Sequence, residues 1–448
     1  MREGSLEPPK RVPIDWQSPE FYDEAKLEAE MRRVFDICHG CRLCFNMCDS
    51  FPRLFDLVDA AGEKEMAGVA TADFKTVVDA CTLCDMCFMT KCPYVPPHRF
   101  NVDFPHLMLR YRAVETKKQA PGFWKRQLAE TDRNGRVCSH ISGLANWASD
   151  LENRLTRPLM EKAAGIDRDA ALPKYQRRTL EKRAKAEKPP VNKAAPAYGR
   201  KAALFATCFS NYNNPGIGEA LIRVLAHNGV ETEVVYPGCC GMPKLEHGDI
   251  AAVAESAKKV YAALKPHVDQ GYDIVALVPS CALMLKFEWP LILPGHPGVE
   301  ALGKATRDAA QYVVEIAKKE GLAPGLKPLE GGVTLHISCH SRAQNMGQKA
   351  TEMLRLIPSI DLKVIERCSG HGGSWGVMKE NFDVALKVGK PVARQAAEAK
   401  KTFVASECPL AGMHVLQGME RVDAEGKIVP DRAPHPIELF AKAYGLVS

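Results

Sequence analysis

An α+β fold is expected, with a helical N-terminal region followed by two repeated α/β units. Upstream, apolar residues recur at helical spacing in FYDEAKLEAEMRRVFDIC and HLMLRYRAVETKKQ. Downstream, short β-rich runs (KAALFAT, TEVVY, YDIVALV, VTLHIS, LKVIE, KTFVASE) alternate with helical segments such as GIGEALIRVLAHNG and DIAAVAESAKKVYAALKPH, the pattern of parallel α/β units. This half also repeats: Cys208, Cys239 and Cys281 return as Cys339, Cys368 and Cys408 at offsets of 131, 129 and 127, each after a predicted strand.

Taken in order, the 448 residues divide into a helical region over 1–112, a basic helical connector over 113–198, a first cysteine-rich α/β domain over 199–328 and a second over 329–448. Residues 113–200 hold 19 Lys and Arg against 10 Asp and Glu, a local +9 within a chain of net +6. LEKRAKAEKPPVNKAAPAYG (180–199) reads as a short helix followed by an extended linker. The second boundary falls in GLAPGLKPLEGG.

Several classes are excluded. The longest apolar run, Ile274 to Leu285, contains Pro279 and Ser280 and is about a dozen residues long, where a spanning helix needs roughly 20. MREGSLEPPKRVPIDW has no apolar stretch behind its charges, so secretion is not expected and a cytoplasmic location is. In that reducing compartment sixteen cysteines read as metal ligands or redox groups rather than disulfides, and all but Cys138 are clustered. The mild net charge does not indicate nucleic acid.

Cys38, Cys41, Cys44 and Cys48 form C-x2-C-x2-C-x3-C; Cys81, Cys84, Cys87 and Cys92 form C-x2-C-x2-C-x4-C followed by Pro93. Three thiolates at steps of three can wrap one cubane, and the remote fourth reaches the other in two-cluster ferredoxins. The expected ligand sets are therefore crossed: Cys38, Cys41, Cys44 and Cys92 for one [4Fe-4S] cluster, and Cys81, Cys84, Cys87 and Cys48 for the second. Structural zinc is the alternative, although its sites more often pair C-x2-C units across a longer loop.

Cys208, the adjacent pair Cys239 and Cys240 in PGCCGMP, and Cys281 follow strands, which gathers them at the carboxyl edge of a sheet, where open α/β sheets bind ligands. Adjacent cysteines do not suit the spaced cubane wrap, so a different metal centre or a redox thiol site is expected, with Cys239 and Cys240 as candidate catalytic residues. Buried apolar cysteines are the plain alternative. The second copy, Cys339, Cys368 and Cys408, is depleted: Ser369 stands for the second cysteine of the pair, and Ala411 occupies the position that would complete C-x2-C, as Met284 does after Cys281. His336, His340 and His371 are possible proton donors or ligands there.

CHGCRLCFNMC, CTLCDMCFMTKCP, PGCCGMP, SCALMLKFEWP, HISCH, CSGHGGSWGVMKEN and ECPLAG together resemble the iron–sulfur subunits of anaerobic glycerol-3-phosphate dehydrogenases and, more broadly, cysteine-rich subunits of heterodisulfide reductases and lactate-oxidising complexes, from about Cys38 to Gln417. The resemblance implies a ferredoxin-type N-terminal domain and an electron-transfer subunit fed by a flavin-containing dehydrogenase. It implies delivery toward quinone or another acceptor, and peripheral attachment at the cytoplasmic face of a membrane. It also implies a further iron–sulfur centre on Cys208, Cys239, Cys240 and Cys281, with Cys339, Cys368 and Cys408 as the weaker set. The alternative is a heterodisulfide reductase-like enzyme acting on a disulfide at the cysteine module. No G-x-G-x-x-G occurs, since Leu221 stands where Gly216 and Gly218 would need a third glycine, so the hydride chemistry belongs to a partner.

Overall fold

The computed structural model describes residues 9–447; residues 1–8, part of the segment from which a cytoplasmic location is expected, and residue 448 lie outside them. Helix Glu24–Cys41 is capped by Asp23, whose carboxylate accepts from the Lys26 amide (3.0 Å), and buries Leu27, Met31, Val34 and Phe35 along one stripe. It packs with helices Ser50–Ala60, Phe74–Ala80 and Phe104–Lys118, and Phe35 meets Phe74 edge to face at 5.2 Å. Helix Phe104–Lys118 runs without a break across position 112.

Two parallel sheets follow. The first contains β1 (Lys201–Phe205), β2 (Glu231–Val235), β3 (Asp273–Ala276) and β4 (Thr306–Asp308) in the order β2-β1-β3-β4. The second contains β5 (Val333–His336), β6 (Leu362–Ile365) and β7 (Phe403–Ser406) in the order β6-β5-β7. Six strands coincide with the β-rich runs of the sequence; β4 does not, because Thr-Arg-Asp has no apolar run to reveal it.

Strand alternation explains how the parts cohere. Ala203 and Phe205 of β1, with Ile274 and Ala276 of β3, face a core shared with the N-terminal helices. Their neighbours Ala202, Leu204 and Val275 face the opposite core, which also takes Val333 and Leu335 of β5 and the C-terminal helix Pro436–Ala443. The first sheet is thus buried on both faces, by the N-terminal helices on one and by the second unit on the other.

The stretch between the N-terminal helices and β1 is more than a tether. Helices Phe123–Ala129, Thr131–His140, Ser142–Ala148 and Thr156–Ala164 turn small residues such as Ala145, Ala148 and Ala163 toward a large cavity. The same helices turn Phe123, Trp124, Ile141, Leu144 and Leu159 toward the cavity, where these side chains stay exposed, while Trp147 and Leu155, the latter at 74%, are exposed away from it. Asp167 N donates to Val377 O (2.8 Å), and Lys379 N to Gly165 O (2.8 Å), stitching this stretch to the second unit. Among the described residues no helix is long and apolar enough to cross a membrane.

Candidate functional site

The first cysteine run starts on the last turn of helix Glu24–Cys41, which ends when Arg42 takes a left-handed conformation (φ 52°) and turns the chain toward Cys44 and Cys48. Leu83 and Asp85 are also left-handed (φ 49° and 64°), one on each side of Cys84. Such non-glycine conformations cost roughly 1–2 kcal/mol each and need support. Arg11 supports Asp85 with a two-pronged contact (Nη2 to Oδ1 2.6 Å, Nη1 to Oδ2 2.9 Å) and also reaches Asp103 (3.0 Å) and Glu288 (3.0 Å). Burial alone would raise the Glu288 carboxyl, yet His106 (3.2 Å) and Arg11 pull it down to about 2. This buried charge network holds the N-terminal helices against the first α/β unit.

The eight thiols gather in two crossed groups. Cys38 faces Cys92, Cys44 and Cys41, while Cys48 faces Cys84 and Cys81, and Cys87 faces Cys84, Cys81 and Cys48. Cys87 also senses Cys44, so the groups adjoin. Burial, then the facing thiols, push Cys38, Cys48 and Cys87 well above the ordinary thiol value and Cys44 up to about 12. Metal loading would therefore displace protons from them.

A repeated backbone device suits these sulfurs to an iron–sulfur cluster. The amide two residues on donates to the cysteine sulfur at Cys48 (from Ser50), Cys81 (from Leu83), Cys84 (from Met86) and Cys92 (from Tyr94), which stabilises thiolate charge; at Cys81 the Arg112 guanidinium adds a larger stabilisation of the same sign. Among the described residues no three or more His, Cys, Asp or Glu side chains converge as a ready-made single-ion site. The thiols offer proximity and N–H donation rather than a closed coordination shell.

In the first unit, Cys208 hydrogen-bonds Cys239, Cys239 hydrogen-bonds Cys240, and Cys240 hydrogen-bonds Cys281, a continuous thiol chain at the carboxyl edge of the sheet. Those bonds to Cys208 and Cys240 hold Cys239 well below the ordinary thiol value and push its two partners up. Thr207, a β-branched residue at φ 57°, immediately precedes Cys208. Trp289 Nε1 donates to Cys240 O (3.1 Å), and Cys239 N donates to Asp132 Oδ2 (2.7 Å), whose other oxygen accepts from the Tyr236 hydroxyl. Asp132 is not legible in the sequence, because it reaches Cys239 from the stretch expected to be a connector.

The second unit divides its three thiols. Cys339 lies within hydrogen-bonding reach of both Cys368 and Cys84, whereas Cys408 senses Glu407 and, across the cavity, Cys281 of the first unit. His340 joins three parts of the chain: Nε2 donates to Leu83 O (3.4 Å), which leaves Nδ1 to accept from the Ser280 hydroxyl (2.8 Å). His336 has both nitrogens engaged, donating to Arg367 O (3.0 Å) and accepting from Ser406 (2.9 Å), and its burial lowers it to about 4, so it ties strands together rather than serving as a ligand. His371 lies buried beside His414, ring centroids 6.2 Å apart, each with an unpartnered Nε2. All seven cysteines of the two units, together with Cys84, line one cavity of about 1130 Å³, whose outer wall is the helical stretch 123–164.

The cysteine-rich domain family known as CCG matches this chain twice, over residues 202–286 and 333–415. The chain is 28% identical over 322 residues to a subunit of the anaerobic glycerol-3-phosphate dehydrogenase of Escherichia coli (strain K12), covering 70% of this chain and 76% of that protein. It is 27% identical over 229 residues to a subunit of the fumarate reductase (CoM/CoB) of Methanothermobacter marburgensis, covering 50% of this chain and 43% of that one. It is 27% identical over 240 residues to the lactate utilization protein A of Oceanobacillus iheyensis, covering 51% and 93%. The chain thus carries two segments that match the CCG cysteine-rich domain, and its similarity to the dehydrogenase subunit extends over 70% of this chain.

Proposed function

We propose that the chain is an iron–sulfur electron-transfer subunit that takes electrons from a flavin-containing dehydrogenase and delivers them toward quinone or another acceptor. The observation that carries this reading is the pair of crossed, adjoining thiol groups, the second of which ends at Cys84 on the wall of the cavity. Cys38, Cys41, Cys44 and Cys92 would hold one [4Fe-4S] cluster, and Cys81, Cys84, Cys87 and Cys48 the second, as the ferredoxin-type part of the chain (1–112). Such clusters, when bound, supply one-electron storage. The chain's own work is to bury the sulfurs, to donate backbone N–H groups to them, and to keep Asp85 and the Cys84 turn fixed through Arg11.

Cys208, Cys239, Cys240 and Cys281 would hold a further centre in the first module (199–328); the second module (329–448) is thiol-poor. The helices of the stretch 113–198 expose apolar side chains beside Lys125, Arg126, Arg133 and Arg154, a combination suited to the surface of an anionic bilayer at the cytoplasmic face. A second reading, a heterodisulfide reductase-like enzyme with Cys239 and Cys240 as catalytic residues, is favoured by the size of the cavity those thiols border.

The deciding measurement is iron and acid-labile sulfide content with EPR, on protein purified anaerobically, before and after dithionite. About eight iron atoms with interacting reduced-cluster signals support the two-cluster reading, and about twelve support the further centre. Absence of any reducible signal defeats both. Turnover of a disulfide that is lost in Cys240→Ser while the cubane signals persist would favour the second reading.

A further inference from the structure

Cys339 and Cys368 stand at equivalent places just past the ends of two neighbouring strands, Cys339 at the start of helix Cys339–Ala343 and Cys368 in the loop after β6. His336 of β5 pairs with Ile365 of β6, and each cysteine lies three residues further on. Adjacent strands run about 4.8 Å apart, within the Cα separation of roughly 4.4–6.8 Å that a disulfide spans, and here the two side chains are within hydrogen-bonding reach of each other. Gly370 N donates to Cys368 Sγ (3.4 Å). The loop bearing Cys368 is also held in place: a side chain at Gly370 would overlap the Ala385 carbonyl oxygen. No third sulfur of this module joins the pair, because Ser369 and Ala411 supply none and Cys408 senses Cys281 instead. The pair borders the cavity on one side and Cys84 on the other.

We propose that Cys339 and Cys368 form a redox-active dithiol that closes to a disulfide, so that the second module stores two electrons as a unit at the cavity wall. Opening the S–S bond consumes two electrons and two protons and yields two thiols; the reductant is a low-potential one-electron carrier acting twice. Closing it reverses the balance: a quinone-class acceptor takes the same two electrons and two protons and leaves as the quinol. The inference rests on the electron-transfer reading for the origin of the electrons and for the acceptor class. It adds a site that converts single-electron supply into paired delivery.

The test uses the full chain, purified anaerobically with its native metal content. One portion is equilibrated with dithionite and methyl viologen, another with 2,3-dimethyl-1,4-naphthoquinone. Both are acid-quenched, alkylated with N-ethylmaleimide and mapped by peptide mass spectrometry. The expected result is a linked Cys339–Cys368 peptide pair after the quinone and two alkylated peptides after the reductant. Cys339→Ser and Cys368→Ser should each abolish the link and leave iron and sulfide per chain unchanged. Full alkylation of both cysteines in both portions, linkage to a different cysteine, or a loss of about four irons in either variant would overturn the inference. If the protein carries no iron or sulfide, the electron-transfer reading fails separately, and dithiothreitol in place of dithionite still decides whether the pair closes.

Discussion

The two cysteine modules share a turn and differ in company. In both, a glycine amide donates to the sulfur two residues before it at 3.4 Å, Gly241 to Cys239 and Gly370 to Cys368. Cys239 then meets Cys208 and Cys240, the middle of a four-thiol chain, whereas Cys368 meets Cys339, which in turn touches Cys84 of the N-terminal helices. The first module is joined to those helices through the Arg11 charge network, and the second through a sulfur and His340. Duplication has thus left one copy with four thiols in a continuous chain and the other with two thiols at an internal junction and a third, Cys408, near Cys281. The local turn does not decide which role a module takes; its tertiary neighbours do.

The sharpest break of this comparison is compositional. Cys239→Ser is expected to remove a whole centre, about four irons per chain, while Cys368→Ser leaves iron content at its wild-type value; metal analysis of the two variants side by side checks it. Next comes the charge network. Arg11→Ala leaves buried Asp85 without its cation, and Glu288 and half-buried Asp103 with only His106 beside them, which costs about 3–5 kcal/mol, and should lower the thermal midpoint far more than His340→Ala, which breaks the junction on the other side. The same network sets an acid dependence. Glu288 is depressed to about 2 in the folded chain, so its stabilisation is present above its unfolded value, roughly 4.5, and is lost as pH falls toward 2. Melting curves between pH 5 and 3 should fall more steeply for wild type than for Glu288→Gln.

Smaller effects separate the twin turns. Both glycines have positive φ (88° at Gly241, 79° at Gly370), so alanine strains either one by about 1–2 kcal/mol. At Gly370 the new Cβ would overlap the Ala385 carbonyl oxygen, whereas at Gly241 the nearest atoms, those of Val253, lie 3.4 Å away. Gly370→Ala should therefore be the more destabilising of the two in chemical denaturation, and equal losses would contradict the geometry. Iron content should move least at Trp289, whose indole holds the Cys240 carbonyl; its counterpart eight residues past Cys408 is Leu416. Trp289→Phe trims a fully buried ring and leaves that carbonyl without its donor, so it should cost about 2–3 kcal/mol in chemical denaturation with little change in iron content.

Much of this is legible in residue order. The helical stripe of Leu27, Met31, Val34 and Phe35, six of the seven strands, and the position of each module cysteine just beyond a strand follow from apolar periodicity. The grouping of Cys48 with Cys81, Cys84 and Cys87 coincides with the crossed sets expected from spacing. The helices of 123–164 are misleading, because short apolar stretches beside many basic residues read as a connector, and nothing in residue order tells that Trp124 and Leu144, with the small Ala145, Ala148 and Ala163, wall a cavity shared with the cysteine modules.

The sequence by itself determined what depends on a few consecutive residues: the strand alternation that feeds two cores, the cysteine steps, and the N–H···S turns that a C-x-G or C-x2-C segment makes with its own backbone. Tertiary structure alone decided that Cys339 touches Cys84, that Cys408 faces Cys281, and that Asp132 receives the Cys239 amide. Those partners lie far apart along the chain, and they meet only because the first sheet is packed on both faces, which brings the loop ends of all three parts to one cavity.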